Sequence, residues 1–98
     1  MKVLITYDIN NRHSDVKSEL ESKGFSDSWL DKNKNTYYLP NTTLWHDNIN
    51  STIEANRVFH ETIESLNVGK SPDEIIKVER FIAIPATPWS GIPGNPHS

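Results

Sequence analysis

Asp8, Arg12, His13 and Lys17 are the residues of this chain whose types and spacing could do chemistry. Asp8 follows a short apolar run, Val3-Leu4-Ile5-Thr6-Tyr7, and precedes a polar segment that reads as a helix. An acidic residue at the carboxyl end of a first strand is where α/β sheets often place chemistry. Two copies of Asp8 meeting across a twofold axis could hold Mg²⁺ or Mn²⁺ through oxygen ligands. Such a metal could activate water against a phosphodiester. His13, at the helix start, could act as a general acid or contact a phosphate near the helix N-terminus. Arg12 and Lys17 would add positive charge for a nucleic-acid backbone. A plainer reading stands beside this one. Asp8 then ends the strand and caps the next turn, and His13 is an exposed helix residue.

The other polar residues form weaker patterns. His46-Asp47 and the pair His60 and Glu64, four apart on one helix face, invite a zinc reading. Two ligands without a third are weak support for it, and helix capping and solvent exposure explain them better. The chain has no Cys, which excludes disulfides and thiolate metal sites. It carries no glycine-rich phosphate loop and no nucleophile with a local base signature. Trp29, Tyr37, Tyr38 and Trp45 could stack bases, as aromatics do in RNA-recognition modules. The Lys/Arg-Gly-Phe/Tyr pattern of those modules is missing from the third strand, so core and subunit contacts are the better use.

Several elements must position these residues. A first strand over 2–7 puts Val3, Ile5 and Tyr7 on one face and Leu4, Thr6 and Asp8 on the other. A helix over 12–23 follows, with Asn10 and Asn11 as N-cap candidates, Val16 and Leu20 as its apolar stripe and Gly24 as its stop. Residues 26–31 read as a second strand and Thr36-Tyr37-Tyr38-Leu39 as a third. Pro40 removes a ladder donor, which makes the third strand an edge or bulges it there. A longer helix over 49–66, capped by Asp47 or Asn48, aligns Ile49, Ile53, Phe59, Ile63 and Leu66. Ser71-Pro72-Asp73-Glu74 predicts one helical turn. A last strand over 75–84 puts Ile76, Val78, Ile82 and Ile84 on one face, broken by Arg80. The order strand-helix-strand-strand-helix-strand is that of the ferredoxin-like α+β fold. It predicts a four-stranded antiparallel sheet with two helices on one face, and a homodimer covering the other.

Ninety-eight residues make one domain with a modest core. That domain is predicted to span 1–84. Residues 85–98 hold four of the six prolines and two of the four glycines, so they read as an extended tail with Trp89 as its apolar anchor. A formal charge of -3 argues against a strong nonspecific grip on nucleic acid. The apolar run after Met1 is too short for a signal peptide, and no stretch approaches a membrane span. A cytoplasmic location is expected.

The opening Lys2-Val3-Leu4-Ile5-Thr6-Tyr7-Asp8-Ile9-Asn10 and the polar helix ending Leu20…Gly24-Phe25 resemble a known family. It is the small ferredoxin-like subunit of CRISPR adaptation complexes. The match is closer still to its stand-alone SinR-like relatives, with VapD-type toxin ribonucleases as more distant cousins. Trp29 and Trp89-Ser90-Gly91 extend the resemblance. It implies a dimer in which Asp8 lies near the twofold and can bind a divalent metal, and so a metal-dependent endonuclease acting on RNA or DNA. The departures bear on DNA bridging: of the basic residues the family carries just after the first strand, only Arg12 and Lys17 are matched here, and Ser26-Asp27-Ser28-Trp29 stands where the family has a Gln-containing strand. The alternative is a noncatalytic dimeric interaction module of phage-defence or toxin type.

Overall fold

β1, Val3–Ile9, is the central strand of a three-stranded antiparallel sheet, β4-β1-β5, in which β4 is Thr43–His46 and β5 is Val78–Pro85. Helix α1, His13–Ser22, follows β1, and α2, Thr52–Asn67, links β4 to β5. The computed structural model describes residues 1–30 and 33–86. The expected tail anchor Trp89 lies outside the described residues.

Alternation along β1 decides where the core sits. Val3, Ile5, Tyr7 and Ile9 are buried, and Val16, Leu20, Ala55, Phe59 and Ile63 of the two helices pack on them. Both helices therefore cover the same face. Phe59 is fully buried, with ring centroids 4.9 Å from Tyr7 and 4.6 Å from Phe81. Burying such a side chain stabilises the fold by about 1.5–3 kcal/mol.

The expected single four-stranded sheet is divided. β2, Ser28–Leu30, and β3, Thr36–Tyr38, form a separate antiparallel pair. One bridge, Ser26 to Trp45, joins this hairpin to β4. The break lies where Pro40 removes a donor. After the Leu39 amide donates to the Asp27 carbonyl at 2.9 Å, the chain turns, with the Thr43 amide donating to the Pro40 carbonyl. Thr42 inside that turn has φ 58°, a left-handed value that ends strand geometry.

Three local expectations are corrected. Asn10 and Asn11 do not cap α1. Arg12 occupies that place with φ 55° and no side-chain cap. The two Asn side chains reach the lead-in to β5 instead. Asn10 Oδ1 accepts from the Lys77 amide at 2.6 Å, and Asn11 Nδ2 donates to the Asp73 carbonyl at 2.8 Å. That segment has backbone groups outside any ladder, and they need partners.

Helix α2 begins later than Asp47 or Asn48 would start it. The Met1 ammonium donates to the Ile49 carbonyl, and the Ile49 amide donates to the Met1 carbonyl, so Ile49 is held as extended chain. Ser51 caps the helix by accepting from the Glu54 amide, while Glu54 accepts from the Asn50 amide. The later start turns Ile53 outward, and it is 80% exposed rather than buried.

The last strand does not keep one apolar face. A register shift opposite Asp8 and Ile9 pairs Asp8 with Arg80 but Ile9 with Val78. Glu79 is the extra residue, and one extra residue reverses the parity of everything beyond it. Ile76 and Val78 therefore join the core cluster, while Ile82 and Ile84 emerge on the face without helices.

Candidate functional site

Asp8 lies inside β1, on the face without helices, directly across from Arg80. The Arg80 Nε is 3.3 Å from the Asp8 Oδ2, and the side chains are 77% and 52% exposed. The pair closes one end of an open groove of about 400 Å³, lined also by Thr6, Tyr7, Phe81 and Ile82. Leu4, Ile82 and Ile84 extend the same face, since Leu4 pairs with Ile84 and Thr6 with Ile82. Ile82 is 57% exposed and Ile84 48%.

The donor set of one chain does not fit a hard divalent cation. Mg²⁺ and Mn²⁺ sites gather several oxygen ligands. Asp8 offers one carboxylate, already engaged by a guanidinium. Among the described residues no three His, Asp or Glu side chains gather as a metal site.

His13 does not share the Asp8 groove. It lies at the first residue of α1 and lines a different cavity, of about 210 Å³, with Tyr7, Ser14, Lys17, Asp27 and Thr42. Lys17 donates to the Asp27 Oδ2 at 2.8 Å, so its charge is paired. Arg12 is occupied as well. Its Nε donates to the Asp15 Oδ2 and its Nη1 to the Leu66 carbonyl, both at 2.8 Å. That bond satisfies a carbonyl at the end of α2, a group helices leave unpaired. The four residues singled out by the sequence thus fall into three places: Asp8 on the open face, His13 and Lys17 at the α1 cavity, Arg12 between α1 and α2.

His46 and His60 serve the fold. The Asn48 amide donates to His46 Nδ1 at 3.0 Å, which leaves Nε2 to donate to the Lys23 carbonyl at 3.1 Å. The ring lies edge-on to Phe25 and fills the space beside Gly24, where a Cβ would come within 2.6 Å of its Nε2. Gly24 has φ 99°, so it is required twice over. His60 Nδ1 lies 3.0 Å from the Asn56 carbonyl of its own helix. The rings of Trp29 and Trp45 stack at 3.9 Å, with the Lys2 ammonium 4.9 Å from the Trp29 centroid. The Trp45 Nε1 donates to the Ser28 carbonyl, so this pair ties the hairpin to the sheet.

Tyr7 is the residue the sequence reading treated only as a strand position. It is 4% exposed, and burial, then the Glu21 carboxylate, push its phenol up to about 12. The signal was present: a Tyr on the buried parity of a strand carries a polar tip that needs a partner. No protein-family model matches the chain, and no curated protein or solved structure matches it either.

Proposed function

We propose that this chain is a ferredoxin-like, noncatalytic interaction module that works as a homodimer through its open sheet face. What supports the fold reading is the bridge from Ser26 to Trp45. That single bridge joins the lead-in of β2 to β4, the edge at which a ferredoxin-like sheet would carry its fourth strand. The observation that carries the functional reading is one face that combines two exposed isoleucines, Ile82 and Ile84, with the surface ion pair Asp8–Arg80. A twofold contact joins a patch to itself, so any charge in that patch needs its opposite in the same patch. This face has them: Asp8 of one copy can meet Arg80 of the other, with Leu4, Ile82 and Ile84 between. Ile53 and the outer edge of β5 widen the apolar area.

The second reading is a metal-dependent endonuclease of the adaptation-subunit or VapD kind. What favours it is that Asp8 stands on the same face, where a twofold would bring two carboxylates together. What weighs against it is Arg80, which competes for each of them.

Light scattering at micromolar concentration tests the proposal. The chain should run at twice its 11.2 kDa mass, and Ile82→Arg should run at the monomer mass while remaining folded. A wild-type monomer at 100 µM, roughly the limit for weak association, overturns it. A dimer that cleaves RNA or DNA with Mn²⁺, and loses this in Asp8→Asn, moves the conclusion to the second reading.

A further inference from the structure

The sheet face without helices is not open over its whole width. Trp45 pairs with Leu4 and Thr43 with Thr6, so the side chains of both β4 residues emerge on that face. Thr6 is exposed, yet Thr43 is only 8% exposed, although the two hydroxyls lie 3.2 Å apart. The β2-β3 hairpin stands on the Thr43 side. The Trp29 ring stacks on Trp45 at 3.9 Å, and the Lys2 ammonium lies 4.9 Å from the Trp29 centroid. The chain's own hairpin therefore occupies the β4 row. Among the described residues that leaves the rows of β1 and β5, in which Leu4, Thr6 and Asp8 stand beside Ile84, Ile82 and Arg80.

A second copy lying on this face with its strands aligned can be related by a twofold along the strands or across them. An axis across the strands lays β4 on β4, so the two hairpins meet in one place. An axis along β1 itself lays β5 on the occupied β4 row, and it faces Asp8 with Asp8 and Lys2 with Lys2. An axis along the strands but midway between β1 and β5 avoids both conflicts. It lays β1 of one copy on β5 of the other. Asp8 then faces Arg80, Thr6 faces Ile82 and Leu4 faces Ile84, each contact occurring twice. It also carries each β4 row one strand spacing, about 4.8 Å, past the outer edge of β5 of the other copy. A groove of about 470 Å³ wraps that edge, lined by Thr52, Ile53 and Asn56 of α2 and by residues 81–84 of β5.

We propose, resting on the homodimer reading, that the twofold runs parallel to the strands between β1 and β5, and that the groove beside Ile53 receives the Trp29–Trp45 corner of the second copy. Charge selects this placement, because it alone sets each carboxylate of the patch against a guanidinium of the other chain without crossing the hairpins. The apolar surface agrees with it. Exposed Ile53, Ile82 and Ile84 are covered by one contact, and the aromatic corner that blocks the β4 row of its own chain becomes a contact for the next. Each Asp8 faces Arg80 of the other copy and not the second Asp8, so the two carboxylates do not share a site on the axis.

Charge-swapped chains test this by sedimentation and native mass spectrometry. Asp8→Lys alone sets Lys against Arg80, and Arg80→Glu alone sets Glu against Asp8. Each should weaken dimerisation by at least about 10-fold. An equimolar mixture of the two should recover a dimer with one chain of each kind, although neither chain has its own ion pair restored. Ile53→Arg changes an exposed side chain, so it should leave the urea midpoint of the monomer in place. It should weaken the dimer by about 10-fold, the effect of one lost anchor. An Arg80→Glu chain that dimerises like wild type would put the axis across the strands or along β1 and overturn the proposal while the homodimer stands. A dimer indifferent to Ile53→Arg would take the groove out of the contact and overturn it as well. A wild-type chain that stays monomeric overturns the homodimer reading and this proposal with it.

Discussion

The two faces of β1 differ in what covers them, although they alternate residue by residue. On one, Val3, Ile5, Tyr7 and Ile9 are sealed under two helices. On the other, Thr6 and Asp8 are exposed and Leu4 is half-buried, with exposed Ile82 and Ile84 beside them. A polar atom on the covered face must find a partner or a cavity, because leaving it unsatisfied costs about 1–3 kcal/mol. A charge on the open face meets water and a flexible opposite charge at little cost. The same residue type therefore carries different information on the two sides. A hydroxyl under the helices, such as that of Thr62, is spent on partners inside the fold, whereas an ion pair on the open face marks a surface able to re-pair.

The largest test of this difference removes the plug of the covered face. Phe59→Ala should destabilise the chain by about 3–5 kcal/mol, read as a lower urea midpoint. The ring touches Tyr7, Phe81 and His60, so the space it leaves has no single neighbour that can close it. A loss below about 1 kcal/mol would mean that the helices do not seal this face.

How much of this was legible in the sequence depended on whether a residue acts alone or through a neighbour. Pro40 announced the interruption of the hairpin, and Gly24 the end of α1, because each constrains its own backbone. The one-residue bulge at Glu79 left no mark, since it arises from pairing with Asp8 and Ile9 across the sheet. Missing it put Ile82 and Ile84 on the same face as Val78. The cap of α2 was written in Ser51-Thr52-Ile53-Glu54 but was outbid by the earlier Asp47 and Asn48. What decided it was a long-range bond from Met1 to Ile49. Asp8 was found as a residue, but its partner Arg80 lies 72 positions away and no local pattern announces it.

An intermediate effect belongs to Tyr7 and comes with alkaline pH. Its phenol ionises near 10 when unfolded and is pushed up to about 12 in the fold, by burial first and Glu21 second. A group whose pKa rises on folding contributes its stability in full below the unfolded value. That contribution is lost as pH climbs from 10 through 12, because the unfolded chain gives up the proton first. The loss amounts to about 3 kcal/mol. Urea midpoints at pH 9 and pH 11.5 should fall further apart in the wild type than in Tyr7→Phe. Equal falls would mean that Tyr7 is not held under the helices and that the contrast between the faces is overstated.

The smallest effect is expected from the charges on the open face, and it discriminates most finely. Asp8 and Arg80 stand 3.3 Å apart with both side chains more than half exposed. Exposed pairs of this kind are worth about 0.2–1 kcal/mol. A double-mutant cycle with Asp8→Asn and Arg80→Gln, read by urea unfolding at concentrations low enough to keep the chain monomeric, should give a coupling of about 0.5 kcal/mol or less. Repeating the cycle at concentrations where the dimer forms should raise it, because a partner that covers the face removes water from both charges. A coupling that stays the same at both concentrations would leave the ion pair outside any contact. The twofold would then have to be built on Ile53 and the outer edge of β5, with Asp8 left on an open surface.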